Sequence, residues 1–471
     1  MEYKHITQVP DDIETTFAWH ERKGSFRRLM PPWEEVEEVR ADPTLENGSE
    51  RIFRFPMGPI KLQWIARHKG YNPPHAFADD MIKGPFKSWS HVHAFISNED
   101  GTCRIEDRVE YSVPLGGLGS LVAGRSVRKR IDRMFNARGI RLTRDIQRHK
   151  EFKHMPRKKI LIAGSSGLIG RQLVAFIDTG NHEVWRLVRR APGKDAQEIQ
   201  WDQKAGTIDS AALEGFDAVI HLGGAGIGDK RWSKKRMEFI RTSRTESTGL
   251  LARTLANLKR KPEVFMVASA IGYYGNRGNE ELTESSKAGK GYLAETCIAW
   301  EASAQPARDA GIRTVHTRTG GIVLDATGGG LGKMLLPAKL GAGGPIGRGR
   351  QWLSWISMDD EVYAMHHLLM TQSCEGAYNL VSPDIVPQKQ FAKVFGKVLR
   401  RPAFIPTPPF GVWILFGKMG VTLTTDSTKV LPERLLEIGY RFEHPTLEPA
   451  LAPLGNMFVS VPFTSTSQAC L

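Results

Sequence analysis

Cysteine is scarce and scattered. The four thiols in 471 residues, Cys103, Cys297, Cys374 and Cys470, stand far apart. That spacing excludes C-x-x-C metal or redox motifs and a disulfide scaffold, and a reducing cytoplasm is the expected compartment. Long apolar runs are missing too. No stretch approaches the roughly 18 residues a membrane span requires; the nearest, Phe410-Gly-Val-Trp-Ile-Leu-Phe416, soon meets Lys418. No apolar h-region follows Met1-Glu-Tyr-Lys-His5, so no signal peptide is expected. There is no internal repeat and no nucleic-acid-binding motif. What remains is ordinary for a globular protein. A chain that is 41% apolar and 25% charged is not wholly disordered. At roughly 150 residues per domain, the length predicts three domains, or two with an appendage.

Acidic residues are in deficit, and the deficit is local. The net charge is +14, and residues 121–159 hold fourteen Lys/Arg against Asp132, Asp145 and Glu151. Val127, Ile131, Met134, Phe135, Leu142 and Ile146 recur there at helical spacing, with Gly139 as an expected weak point. A basic face toward an anionic partner and a solvated face on a packed helix both fit. The second is preferred, and no nucleic-acid partner is expected.

Three zones follow along the chain. Residues 1–155 read as an α+β domain. A helix is expected over 11–20, begun by Asp11 and Asp12. Strand-like segments follow at 51–55, 61–67, 88–97 and 102–113, then the basic helix. Residues 157–400 alternate strands and helices, which demands a parallel sheet covered on both faces. Strands are expected at 183–188, 218–222, 264–268 and 314–318, and helices at 168–178, 234–258 and 293–310. Residues 401–450 read as a small, mainly helical domain, and 456–471 as an irregular tail, disordered around Thr464–Gln468.

Within the first zone, Met30-Pro-Pro-Trp33, the run from Phe77 to His93, and Asp107-Arg-Val-Glu-Tyr111-Ser-Val-Pro114 resemble the START-like (SRPBCC) ligand-binding superfamily. The resemblance implies a helix-grip fold enclosing an apolar cavity, with Trp64, Phe77, Phe86, Trp89 and Phe95 as lining candidates and an apolar ligand as a partner. An ordinary aromatic core is the alternative. His91 and His93 share one strand face. Two histidines are too few for a metal site, and none is expected.

The second zone opens with an apolar strand, Ile160-Leu-Ile-Ala163, then Gly164-Ser165-Ser166-Gly167-Leu168-Ile169-Gly170. The spacing is G-x-x-G-x-x-G, and a bare glycine triplet is weak evidence. Between a strand and a helix it gains meaning: glycines let the backbone approach a pyrophosphate, and the helix N-terminus offers N–H groups to the anion. At the next strand end an NAD site places an acid. This chain places Arg189 and Arg190 there, which suit a 2′-phosphate, so NADP(H) is favoured over NAD(H).

Further motifs carry a family resemblance. They are Ile199-Gln-Trp-Asp202, His221-Leu-Gly-Gly-Ala-Gly226, Ser269-Ala-Ile-Gly-Tyr-Tyr-Gly275, Arg318-Thr-Gly-Gly-Ile-Val-Leu324 and Gln351-Trp-Leu-Ser-Trp-Ile-Ser-Met-Asp-Asp360. As a set they resemble the atypical extended short-chain dehydrogenase/reductases of the epimerase family, often labelled nucleoside-diphosphate-sugar epimerases. The resemblance implies a Rossmann-type doubly wound α/β fold. It also implies that the glycine loop lies under the pyrophosphate, and that Arg189, Leu222, Gly223, Arg244 and Ile322 line the cofactor; core packing is the alternative for Leu222 and Ile322. In this family Arg401-Pro402 opens a C-terminal domain of uncharacterised role.

Catalytic members use Ser/Thr, Tyr and a Lys four residues after the Tyr. Ser269 and Tyr292 match, 23 residues apart, but Thr296 stands where the lysine should be. Tyr273 and Tyr274 are nearby phenols read as structural. Residues 328–349 hold nine glycines with Lys333, Lys339 and Arg348, which suits a mobile cationic cover over an anionic small-molecule substrate, or a merely permissive connection. Three functions therefore stay open: an oxidoreductase or epimerase, a cofactor-binding sensor with a decayed catalytic centre, and an apolar-ligand carrier.

Overall fold

The computed structural model describes residues 1–57, 60–114, 116–193 and 196–458, and its contacts divide the chain into two units, 1–154 and 155–455. Cys470 and the tail segment around Thr464 lie outside the described residues.

The first unit opens with β1 (Glu2–Val9), α1 (Ile13–Glu21) and α2 (Ser25–Leu29). It continues through β2 (Glu37–Ala41), β3 (Glu50–Met57), β4 (Ile60–Asn72), β5 (Ala76–Lys83), β6 (Ser88–Ser97) and β7 (Cys103–Ser112) to α3 (Gly116–Lys150). The strands make one antiparallel sheet in the order β1-β7-β6-β5-β4-β3-β2. Helix α1 starts after Asp12, whose carboxylate accepts the Thr15 N–H at 2.6 Å. Strand β6 alternates, with Trp89, His91 and Phe95 buried and Val92 exposed. Helix α3 lays Val127, Ile131, Phe135, Leu142 and Ile146 into the core.

Two expectations change here. Gly139 is no weak point: it lies inside continuous α3, where a Cβ would come 2.8 Å from the Thr7 hydroxyl, so the small residue permits close approach to β1. The basic residues of α3 are also not simply a solvated face. Arg28 and Asp145 form a two-pronged pair, at 2.8 and 2.7 Å, with both side chains fully buried. Arg138 and Arg141 donate to the carbonyls of Leu29 and Met30, and Arg130 pairs with Glu34 at 2.6 Å. Three of the α3 arginines therefore help hold α2 and the segment after it against α3. The aromatic candidates pack against one another, with Trp64–Trp89 ring centres 5.3 Å apart, Phe86–Trp89 5.0 Å and Phe77–Phe95 5.9 Å.

The second unit is a Rossmann-like sheet. Its elements begin with β8 (Lys159–Ala163), α4 (Leu168–Thr179), β9 (Glu183–Val188), β10 (Glu198–Asp202), β11 (Thr207–Ile208) and β12 (Ala218–His221). Then come α5 (Lys234–Ala256), β13 (Val264–Ala270), β14 (Glu281–Leu282), α6 (Tyr292–Ala302), α7 (Gln305–Asp309) and β15 (Arg313–Thr319). The chain continues through β16 (Ile322–Leu324), α8 (Gly329–Lys339), β17 (Trp352–Leu353), β18 (Trp355–Ser357), α9 (Met358–Met370) and β19 (Gly376–Leu380). Eight strands run in the order β11-β10-β9-β8-β12-β13-β15-β19, parallel except at the β10–β11 edge. Helices cover both faces. Phe176 of α4 meets Tyr363 of α9, while Leu251 and Leu255 of α5 and Trp300 of α6 share the opposite core.

The helix expected over 293–310 is broken into α6 and α7, with Ser303 capping the first and Pro306 in the first turn of the second. After α10 (Gln388–Leu399), α11 (Pro409–Thr425) breaks at Gly417, whose φ is +66°. A short strand at Lys429–Val430 pairs with β14.

Candidate functional site

The glycine loop joins β8 to α4 at the centre of the parallel sheet, where strand order reverses. Gly164 has φ +82°, and a Cβ there would sit 2.8 Å from the Gly223 nitrogen and the Leu222 carbonyl carbon. A Cβ on Gly170 would come 2.3 Å from the Gly164 carbonyl oxygen. Both positions therefore exclude any larger residue. Gly167 is the N-cap of α4 and has no side chain to satisfy the first turn, so that helix end is open to an anion.

Above the loop lies a cleft of roughly 270 Å³. It is lined by Gly164, Gly167, Leu168, Ile169, Gly170 and Leu222 from the sequence-derived set. The polar side chains that sequence reasoning missed are Thr317, Thr319 and Glu361. Alternation along β15 explains the two threonines: they face the cleft, while Arg318 faces the opposite side of the sheet. Glu361, in the first turn of α9, is fully buried. Thr319 Oγ1 donates to its Oε1 at 2.7 Å, while its Oε2 and the Thr317 hydroxyl have no partner among the described residues. Burial pushes the Glu361 carboxyl up to about 8, against the smaller lowering effect of Thr319. At neutral pH it therefore carries a proton, a donor at the floor of the cleft.

The other binding candidates separate. Arg190 is committed to Glu198 through both terminal guanidinium nitrogens, at 2.7 and 2.9 Å, whereas Arg189 is exposed and makes no hydrogen bond or ion pair among the described residues. Ser166 is exposed on the loop, and Ile322 pairs with Trp355 while its neighbour Val323 lines the cleft. The Leu222–Gly223 turn is held by buried His221, whose Nδ1 accepts the Gly223 N–H at 3.3 Å and whose Nε2 meets Ser247 Oγ at 2.9 Å. Burial and the Arg244 charge lower His221 to about 3, so the ring is neutral. Arg244 donates to the carbonyls of Ala225 and Ile240 and stacks on Trp300. It shapes the wall of this region from behind.

The catalytic candidates are each engaged elsewhere. Ser269 Oγ donates to Glu301 Oε1 at 2.7 Å. Burial works to raise the Glu301 carboxyl, but the paired Arg318 guanidinium more than offsets it and holds it below the ordinary range. Arg318 also binds the Tyr274 hydroxyl, which donates to Asn379, and lies over the Tyr273 ring. Tyr292 donates to the Met237 carbonyl at 2.8 Å, with Trp232 packed edge-on 5.0 Å away. Thr296 turns its hydroxyl back to the Tyr292 carbonyl at 2.7 Å. Burial raises the Tyr292 phenol, and Arg244 and Arg236 only partly oppose that. The phenol stays protonated.

Part of the glycine-rich segment, expected as a mobile cationic cover or a permissive connection, is a helix. Residues Gly329–Lys339 are helical, Gly329 and Gly330 reach the cleft, and Lys333 binds the Gly228 carbonyl at 2.6 Å.

Residues 160–380 match the NAD dependent epimerase/dehydratase family, and residues 407–454 match DUF1731, a domain of unknown function. An epimerase family protein of Mycobacterium bovis, Mb2239, is 37% identical over 292 residues, spanning 62% of this chain and 96% of its own. The crystal structure of the nucleoside-diphosphate sugar epimerase from Corynebacterium glutamicum superposes with a TM-score of 0.78 at 30% identity, covering 97% of this chain and 90% of that one. The structure of human epimerase family protein SDR39U1 (isoform 2), solved with NADPH, gives 0.58 at 32% identity, covering 63% and 99%. With a parallel sheet, a glycine loop at its switch point and relatives matched over nearly their whole length, the chain belongs to the epimerase family, the NAD-dependent epimerase/dehydratase proteins.

Proposed function

We propose that residues 157–400 bind NADP(H) and that the protein is a reductase-leaning member of its family, acting on a small polar or sugar-like carbonyl compound. One observation carries the cofactor reading. The uncapped α4 N-terminus, the Gly164 and Gly170 cradle and the Glu361 Oε2, unpartnered among the described residues, converge on a single cleft, with Arg189 exposed just after β9. These residues fit a dinucleotide, and the NADPH in the human relative's structure supports the same choice. Bound there, the nicotinamide would supply hydride transfer. The chain's own part would be to hold the pyrophosphate on the loop and the 2′-phosphate with Arg189, and to deliver a proton from Tyr292 with Ser269 orienting the substrate oxygen. A protonated phenol donates but does not abstract, which favours reduction over oxidation or epimerisation.

A second reading, a cofactor-binding sensor, is favoured by Thr296 in place of lysine and by the engaged hydroxyls of Ser269 and Tyr292. The seven-stranded sheet and α3 support a START-like assignment for residues 1–155, and the DUF1731 match supports a small domain over 401–450. Calorimetric titration of the full chain tests the cofactor reading: tighter binding of NADPH than NADH is expected, with the preference lost in Arg189→Asp. Equal affinities would overturn it. Steady NADPH consumption over a carbonyl panel separates reductase from sensor.

A further inference from the structure

The inner face of the first unit's sheet is aromatic, yet four ionisable side chains stand at its centre, two of them, His91 and Asp107, buried and two, Asp79 and His93, nearly so. Asp79 of β5 stands opposite His91 of β6, and His93 stands opposite Asp107 of β7. His91 and His93 are two apart, so all four share one face of the sheet. Trp89 and Phe95 flank them on β6, Phe77 stacks on His93 at 4.3 Å, and Phe135 of α3 meets His91 at 5.2 Å. Burying two carboxylates and two imidazoles in such surroundings is costly unless they do something together.

Their arrangement is that of a ligand set with its supporting carboxylate. Asp107 Oδ1 meets His91 Nε2 at 3.0 Å and His93 Nδ1 at 2.7 Å. One carboxylate oxygen thus fixes both rings through one nitrogen each, as supporting carboxylates do around metal-bound histidines. The remaining nitrogen of His91, Nδ1, faces Asp79 Oδ2 at 3.5 Å. That is long for a hydrogen bond but close to the roughly 3.4 Å edge of a tetrahedron with 2.0–2.1 Å metal bonds. One ring nitrogen of each histidine and a carboxylate oxygen of Asp79 lie within 4.8 Å of one another. The Asp79 and His93 side chains keep 14% and 12% exposure, which leaves a path inward.

We propose that Asp79, His91 and His93 bind one divalent transition-metal ion of the zinc or iron(II) type, with Asp107 orienting both imidazoles. Two nitrogens and one carboxylate suit that class over magnesium or calcium, which prefer oxygen ligands. Three protein ligands leave positions open to a water or an anionic ligand. With His91 and His93 neutral, the two carboxylates balance the ion's charge, while Arg138 of α3 acts on both carboxylates and Arg51 of β3 on Asp79. His20 of α1 lies beside His93, with ring centres 6.2 Å apart and Nδ1 held by the Thr16 carbonyl. His68 of β4, buried and directly opposite Asp79 in the sheet, is a second imidazole beside the set.

The test uses untagged full-length protein, stripped with chelator and titrated with Co²⁺, then Zn²⁺. Binding predicts a visible cobalt absorption that saturates at one equivalent and is bleached by zinc, with a rise in melting temperature that grows with metal concentration. His93→Gln should abolish the band, and Asp107→Asn should weaken binding on the order of 10- to 100-fold. If His93→Gln does not fold, the wild-type cobalt protein still decides the matter: two solvent-exchangeable, hyperfine-shifted imidazole N–H signals are expected in its NMR spectrum. No saturable band in the wild type, no such signals, or an unchanged band in a folded His93→Gln variant would overturn the proposal.

Discussion

Replacing Glu361 by glutamine should stabilise the protein, by an amount set by pH. The carboxyl rises from 4.5 to about 8 because burial penalises its charged form. A folded value above the unfolded one means that the native state holds more protons between those limits, so stability falls as pH rises through the window. The shift is about 3.5 units at roughly 1.4 kcal/mol each, a ceiling of about 5 kcal/mol. Linkage gives a loss of about 1 kcal/mol at pH 5, roughly 3 at pH 6.5 and a little over 4 at pH 8. The substituted amide would keep an acceptor for Thr319 and a donor toward the cleft, and it does not titrate. Urea denaturation of both proteins at these three pH values measures the difference directly, since every other titrating group is common to the pair. The gap should widen steadily from pH 5 to pH 8. A gap that stays constant across the range would refute the reasoning, because it would show that Glu361 is ionised, or solvated, in the native state.

Gly170→Ala should weaken NADPH binding at least tenfold and lower the melting temperature, because its Cβ would meet backbone at 2.3 Å; titration calorimetry beside a melting curve checks both. Tyr292→Phe should reduce any NADPH-consuming activity by two to three orders of magnitude while leaving NADPH affinity unchanged; full activity would remove Tyr292 from the mechanism. Arg28→Ala should cost about 3–5 kcal/mol by stranding Asp145 in the core, and Arg28→Met with Asp145→Leu should recover most of it, as read by chemical denaturation.

The parallel sheet is legible because its central strands β8, β12 and β13 are short, largely apolar runs buried on both faces. The glycine loop is legible because its context, strand before and helix after, carries more information than its spacing. Three strands of the first unit escape a sequence reading for separate reasons. Strand β2 is exposed along its whole length and has no apolar period. Strand β1 mixes charges into a weak alternation. Strand β5 carries adjacent acids, Asp79 and Asp80, and a buried acid reads as a loop signal until its histidine partners are brought beside it. Glu361 is hidden by a sound rule. An acid in the first turn of a helix ordinarily faces solvent and complements the helix dipole, and only the packing of α9 against β15 turns it inward. The engagement of Ser269 with Glu301, and of Arg190 with Glu198, likewise depends on neighbours that local spacing cannot supply.

Strand β1 pairs with β7 along its full length, Tyr3 beside Val109 and Val9 beside Cys103. Synthesis from the amino end therefore delivers one edge of this sheet roughly one hundred residues before the strand it must lie against. Tyr3, Phe17 and Trp19, all buried in the finished unit, have no complete core to enter until then. The counterion of Arg28 arrives later still, at Asp145. Such distant pairings close large loops before any contact rewards them, which makes this unit slow to fold relative to one built from local contacts. On the ribosome, the emerging chain would hold apolar side chains unprotected through most of the unit's synthesis. That interval is when chaperone engagement, or misassociation with another nascent copy, would be decided.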